Sequence, residues 1–325
     1  MHDRPPISAL PWRTLEVPPE GAGLRLDTFL ARWFHDRSRS ALNRAIREHL
    51  VTDDHDRVLR ASQVVRAGMS LRIRIAGIAP STAAPPMPDV LYEDDLMVIV
   101  DKPAGLLVHP TGTEYAWAVI GLARERWPDD DVDLVHRLDR DTSGCLVLSK
   151  GVATNRFLKA AFHDDKVSKT YEAITRVAPQ WDEAVLDAPI GPADGPIRIQ
   201  MAVRDDGLAA RTDVRVLERD GLGRARVACV LRTGRTHQIR VHLAHAGASL
   251  VGDRMYGVPP EVFLKAWEHG VDDSVIEAAG APRQALHAAR MRVPHPRGGE
   301  VSVEAPWPAD LDRWWRHPEV LPFDR

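Results

Sequence analysis

Between positions 76 and 88 the chain reads Ala76-Gly77-Ile78-Ala79-Pro80-Ser81-Thr82-Ala83-Ala84-Pro85-Pro86-Met87-Pro88, with four prolines, no charged side chain and no apolar period. Proline removes a backbone donor and fixes its own φ, so such a stretch fits neither a helix interior nor a sheet and reads as an extended linker. A chain of 325 residues suits about two domains at roughly 100–200 residues each. The linker therefore predicts an N-terminal extension over 1–20, a small module over 21–75 and a larger domain over 89–325. With 44% hydrophobic and 27% charged side chains, the chain can fill a packed core and is not of disordered composition.

The two halves differ in charge. The whole chain carries −3, but residues 21–75 hold eleven arginines against six acids, a local +5 that leaves −8 for the rest. A basic patch on a near-neutral chain is a footprint for phosphate. Within it, Leu24, Leu26, Phe29, Leu30 and Phe34 recur at helical spacing. Ser38 or Ser40 can cap a second helix with Leu42, Ile46 and Leu50 on one stripe. Residues 64–75 then read as a turn and an alternating strand. Arg39, Arg44 and Arg47 on the second helix are candidate RNA contacts, against the simpler reading of a solvated charged face.

Beyond the linker, short apolar strands dominate. They are expected at Val90–Tyr92, Met97–Val100, Leu134–Leu138, Cys145–Ser149, Thr170–Thr175 and Arg226–Leu231, with helices at Ala153–His163 and Thr236–Ala246. Strands outnumber helices without regular alternation, which predicts an α+β domain with a mixed, largely antiparallel sheet and flanking helices.

Three stretches could carry chemistry. His136 to Gly144 is a polar loop between two expected strands, where Asp139 stands between Arg137 and Arg140. A nearby guanidinium would keep that carboxylate ionised, as a nucleophile or base requires. Thr142 and Ser143 could close the turn by side-chain-to-backbone bonds, and Gly144 permits tight geometry. The second stretch runs from Leu231 through Arg232, Gly234, Arg235 and Thr236 into a helix carrying His237, Arg240, His242 and His245. With Thr236 as cap, its start would offer backbone N–H groups to an anion between Arg232 and Arg235. Arg240, one turn in, could reach a carboxylate. Third, Tyr171 lies on a strand, where it could stack on a base or simply fill the core.

Several classes are excluded or disfavoured. Two cysteines give no disulfide framework, and the histidine spacings of five and three do not match a helical metal pair, so no metal is expected. No nucleotide-binding glycine loop, nucleophile elbow or zinc-protease motif occurs, so no cofactor is expected. No apolar run reaches the ~20 residues of a membrane span and the N-terminus lacks a signal pattern, which predicts a soluble, cytoplasmic protein with no membrane partner. A hydrolase using Asp139 with Asp141 is disfavoured, because residues two apart on one loop rarely face each other across a sugar.

In order along the chain, Tyr92-Glu93-Asp94, Asp101 to Pro110, His136 to Gly144, Lys169-Thr170-Tyr171, Thr233 to Leu243, Leu250-Val251-Gly252-Asp253 with Tyr256-Gly257, and Arg283 to Ala288 resemble the motifs of RluA-type pseudouridine synthases. The resemblance covers about residues 89–310. The basic module is similar to an S4 RNA-binding domain, although His49 stands where a turn glycine is usual and no Asn-Gly follows Val51. The resemblance implies cofactor-free isomerisation of uridine: the N1–C1′ bond breaks, the uracil turns, and C5 takes its place on the sugar. Asp139 matches the catalytic aspartate, which attacks the nucleoside or takes a proton from the sugar. Arg240 matches its arginine partner, Tyr171 the tyrosine that packs on the target base, and Arg137 the residue that fills the RNA stack when the uridine leaves it. Arg140, Arg235 and His237 are further candidate RNA contacts. The expected substrate is structured RNA, with large-subunit rRNA ahead of tRNA, bound by a monomer. A non-catalytic RNA-binding protein on the same scaffold is the rival reading.

Overall fold

The computed structural model describes residues 12–17, 21–33, 39–74, 85–109 and 118–317. The chain forms two compact units, with the main division between Pro85 and Pro86 and residues 265–270 grouped with the first; most of the linker expected over 76–88 lies outside the described residues, as do Phe34 and Ser38.

The first unit contains β1 (Arg13–Glu16), α1 (Leu26–Trp33), α2 (Arg39–Arg47), β2 (Val51–Asp53) and β3 (Ser70–Ile73). Its antiparallel sheet has the order β1-β3-β2. Residues 13–16, assigned by sequence to an extension, are thus a strand in register with β3, with Arg13 opposite Ile73. Val17 follows them into the core with Leu26, Phe29, Leu30, Leu42, Ile46, Leu71 and Ile73. Apolar residues at 26, 29 and 30 and at 42, 45 and 46 recur every three to four positions and face this core. Ser40 lies inside α2 rather than capping it. On β3 the expected alternation appears: Leu71 and Ile73 are buried, while Arg72 is half-buried with its guanidinium 5.1 Å from the Trp12 ring.

The second unit runs through β4 (Asp89–Glu93), β5 (Met97–Lys102), α3 (Val119–Arg126), β6 (Val132–Leu134), β7 (Ser143–Lys150), α4 (Val152–His163), β8 (Ser168–Thr175), β9 (Glu183–Leu186), β10 (Ile190–Pro192), β11 (Met201–Val203), β12 (Thr212–Arg219), β13 (Ala225–Leu231) and α5 (Gln238–His245). It continues with α6 (Pro260–His269), of which only the part up to Leu264 belongs to this unit, then α7 (Asp273–Ala279), β14 (Leu286–Pro294), β15 (Glu300–Glu304) and α8 (Ala309–Arg316). Ten strands form one sheet with the path β4-β5-β7-β14-β8-β13-β12-β9, while β15 pairs with β14 and β6 with β7. Of these pairings only β7 with β14 is parallel, so the fold is α+β with a mixed, largely antiparallel sheet, as composition and spacing predict.

Period-two alternation builds two cores from the same strands. Val98, Val100, Leu146 and Leu148 face one side with Val119, Leu122 and Ala123 of α3 and Ile239 and Leu243 of α5. Met97, Ile99, Cys145 and Val147 face the other with Leu158 and Ala161 of α4. Every residue of β7 is buried, which explains its nearly continuous apolar run.

One expected strand is misplaced. β6 ends at Leu134, so 135–138 belong to the loop that enters β7. The imidazole of His136 accepts from the Val147 backbone N–H at 3.0 Å, bonding the sheet through its side chain where a strand would use its backbone.

Gly144 is where the loop becomes strand. Its φ is +108°, and a Cβ there would sit 2.3 Å from the Ala288 carbonyl oxygen on the parallel neighbour. Gly144→Ala is therefore expected to lower unfolding stability by about 2 kcal/mol or more. Denaturant unfolding checks this; an unchanged midpoint would contradict the close approach of β7 and β14.

Candidate active site

The loop between β6 and β7 carries Asp139 into an open cleft of about 420 Å³. Its walls include Arg137, Asp139, Tyr171, Arg235, His237 and Arg240. Arg140, a candidate RNA contact, is exposed and not part of the lining. Its guanidinium Nε donates to the Gly105 carbonyl at 3.1 Å, so it braces the loop from outside.

The loop is tied down at several points. The Thr142 N–H donates to the Asp139 carbonyl at 3.1 Å, closing the turn by backbone alone. The Thr142 and Ser143 hydroxyls instead meet side chains, Gln284 and His287, rather than the turn backbone that sequence suggests. Lys102, fully buried, donates to the carbonyls of Pro103, Leu106 and Arg140 at 2.8–2.9 Å. Burial pushes its ammonium down to about 7. Asp141 is held by Arg254 and lies outside the cleft lining, so it does not face Asp139 across a substrate.

Arg240 is the centre of the site. Its Nε and Nη2 donate to the two oxygens of Asp253 at 2.7 and 2.9 Å, and its Nη1 donates to Asp139 Oδ2 at 2.9 Å. Asp253 is fully buried, and its Oδ1 also accepts from the backbone N–H groups of Met255 and Tyr256. A two-pronged contact fixes the plane of a guanidinium, so the third nitrogen is aimed at Asp139. Burial opposes the charge on Asp139, but the Arg240 guanidinium overcomes it and holds the carboxyl below its usual 3.8. With its side chain 25% exposed, Asp139 keeps Oδ1 free of protein donors among the described residues. An ionised oxygen is thereby presented to the cleft.

His237 and Tyr256 frame this pair. The Tyr256 ring lies 5.0 Å from the Arg240 guanidinium carbon, and its hydroxyl accepts from the Met201 N–H at 2.9 Å. The same hydroxyl is 2.8 Å from His237 Nδ1. If the phenol donates to Nδ1, the imidazole proton sits on Nε2, 3.9 Å from Asp139 Oδ2. Burial and Arg240 push His237 down to about 4, so it is neutral near pH 7. Tyr171 is almost fully buried in β8, and burial followed by the Asp139 charge raises its hydroxyl, keeping it a neutral phenol.

The start of α5 differs from expectation. His237, with φ +57°, occupies the cap position expected for Thr236. The Gln238 side chain takes the Arg235 N–H at 2.9 Å, and Arg232 is paired with Asp213 at 2.7 Å. The free anion site expected between Arg232 and Arg235 is therefore closed on one side. Arg235 remains in the cleft wall, its Nε on the Ala209 carbonyl. His242 turns away to Thr212 and the Ala188 carbonyl. Among the described residues, no three His, Cys, Asp or Glu side chains group to hold a metal ion.

Sequence reasoning leaves Asp253, Tyr256 and Lys102 without a role, although each falls within one of the family-like motifs. Asp253 and Tyr256 lie only thirteen and sixteen positions after Arg240, yet nothing in that spacing shows that the chain turns back onto the guanidinium.

This geometry agrees with what the chain is similar to. A family model described as RNA pseudouridylate synthase matches residues 96–245. The ribosomal large subunit pseudouridine synthase D of Xanthomonas campestris pv. campestris is 38% identical over 311 residues, 93% of this chain and 91% of that protein. The protein of the same name from Nitrosomonas europaea is 38% identical over 307 residues, 91% of this chain and 85% of that one. Among solved structures, human RNA pseudouridylate synthase domain containing 4 superposes with a TM-score of 0.55 at 25% identity, over 70% of this chain and 91% of that chain. Likeness over nine-tenths of its length to full-length relatives leaves one conclusion: the chain belongs to the RluA-type family of RNA pseudouridine synthases, which are isomerases.

Proposed function

We propose that the protein isomerises uridine to pseudouridine in large-subunit ribosomal RNA, with Asp139 as the catalytic group. The observation that carries the assignment is the carboxylate of Asp139, bound on one oxygen by Arg240 and open to the cleft on the other. The choice of ribosomal RNA rests on the names of the relatives, ribosomal large subunit pseudouridine synthases.

The glycosidic bond of a stacked uridine is inaccessible, so the nucleotide must be everted at a cost of a few kcal/mol. Arg137, exposed on the rim, is suited to fill the vacated stack with its guanidinium plane and offset part of that cost. The everted base packs on Tyr171, whose neutral ring offers a face without competing for protons. Asp139 Oδ1 then acts on the sugar, by attack or by proton removal. Either route needs an anion that stays ionised inside a protein wall, which Arg240 supplies. As N1–C1′ breaks, the uracil turns and C5 bonds to C1′. C5 loses its proton and N1 gains one, so the reaction needs no outside oxidant or reductant. Arg235 and His237, also in the wall, line the path of the RNA.

The basic N-terminal unit supports a second part of the proposal: an S4-like module that holds RNA by its phosphates. Leu42, Ala45 and Ile46 of α2 are buried, which turns Arg44 and Arg47 to the solvent, exposed and without an ion pair among the described residues. Arg39 opens the same helix; its side chain lies outside the described residues.

Asp139→Asn is expected to abolish pseudouridine formation in a large-subunit rRNA transcript while RNA affinity stays within several-fold. Tritium release from C5-labelled uridine RNA reads the first and filter binding the second; full turnover by the pure variant would refute the assignment. Arg44→Ala with Arg47→Ala should lower the slope of log affinity against log salt by about one for each phosphate that is no longer neutralised. Equal slopes for variant and parent would mean that α2 does not hold the backbone.

A further inference from the structure

Three lysines are buried among the described residues, and two are fully accounted for. Lys102 is surrounded by three carbonyls, and Lys150 lies 2.9 Å from Glu93 and 3.0 Å from Asp130. Lys169 is different. It is 6% exposed, lines the active cleft, and has no carboxylate or carbonyl within bonding distance among the described residues. Its ammonium lies 5.7 Å from the centre of the Phe162 ring, which itself stacks on His136 at 4.4 Å. Burial pushes His136 down to about 3, so this neighbour brings no charge. Asp165, exposed on the cleft wall, acts on Lys169 only from beyond ion-pair distance.

A buried ammonium without a partner is costly to keep charged, and burial indeed lowers the pKa of Lys169. An anionic ligand entering the cleft would remove that cost. Lys169 and Tyr171 stand two apart on β8 and so project to the same face, roughly 7 Å apart along the strand. With uracil on Tyr171, Lys169 stands one strand step beyond it in the wall of the cleft that also holds Asp139.

We propose that Lys169 is the anion subsite of the cleft and binds a backbone phosphate flanking the everted uridine. The inference rests on the reading of the cleft as the uridine site. A phosphate suits the position better than a base carbonyl, because only a full negative charge neutralises the ammonium. Arg137 on the same wall adds to the positive potential along the backbone path.

The test is a charge cycle on an rRNA transcript whose modified uridine has first been mapped with the unaltered protein. Methylphosphonate replaces the phosphate on the 5′ or the 3′ side of that uridine, and the protein carries Lys169, Lys169→Met or Lys169→Arg. One of the two neutralised linkages is expected to weaken binding to the unaltered protein roughly tenfold. Lys169→Met should weaken binding to normal RNA similarly and be indifferent to that linkage. Its single-turnover rate at saturating RNA should stay within about threefold, because the contact is made equally before and during reaction. Lys169→Arg should recover most of the affinity. Additive losses, or a fall in rate at unchanged affinity, would overturn the subsite. So would an unaltered protein insensitive to both linkages, a result independent of whether Lys169→Met folds. If the unaltered protein modifies no rRNA uridine, it is the substrate assignment that fails, and the cycle is then run on the tRNA transcript it does modify.

Discussion

The site depends on one guanidinium shared between two carboxylates. Asp253 contributes nothing to the cleft itself, but by gripping two nitrogens of Arg240 it determines where the third points. Removing three charges from water is expensive, and such a cluster is retained only where its hydrogen bonds are nearly complete. Here Asp253 takes two bonds from Arg240 and two from backbone N–H groups, while Tyr256 covers the guanidinium face. The result is a carboxylate at position 139 that stays charged and keeps one oxygen unbound.

Around that core, the cations near Asp139 divide into those that brace and those that face the cleft. Arg140, Arg254, Arg283 and Lys102 all bond to the backbone or side chains of the loop's own neighbourhood. They hold the loop from behind and leave Arg137, Lys169, Arg235 and Arg240 in the cleft wall. On the proposed function, this separation would let an RNA phosphate be attracted without Asp139 being neutralised from every side. Rigidity also matters for chemistry, because a reacting group displaced by about 1 Å can cost on the order of a hundredfold in rate.

Much of this was legible in the chain. The alternating apolar strands and the two helices around 153–163 and 236–246 carry strong periodicity, and their types and approximate limits follow from it. Asp139, Tyr171 and Arg240, each singled out from its own stretch, are brought into one cleft. What escaped depends on side chains meeting across long loops. The strand expected at 134–138 ends early because His136 bonds to β7 through its ring, and an apolar run does not reveal that. Arg137 and Arg140 flank Asp139 alike in sequence, and the bond from Arg140 to the Gly105 carbonyl, thirty-five residues away, is not visible there. Thr236 is a good cap by type, yet Gln238 folds back on the Arg235 N–H instead. Residues 13–16 gave no signal as a strand because four residues are too few to show a period, and their pairing with β3 is a tertiary fact.

The most direct test of the electrostatic account is the titration of the Asp139 carboxyl itself, read by carbon NMR of aspartate-labelled protein and assigned by the loss of one resonance in Asp139→Asn. The unaltered protein should titrate this group below 3.8, and Arg240→Met should raise it, since burial, the largest influence, is then opposed only by His237 and Arg137. A carboxyl that titrates at or above 3.8 with Arg240 in place would contradict the claim that this guanidinium holds the catalytic anion.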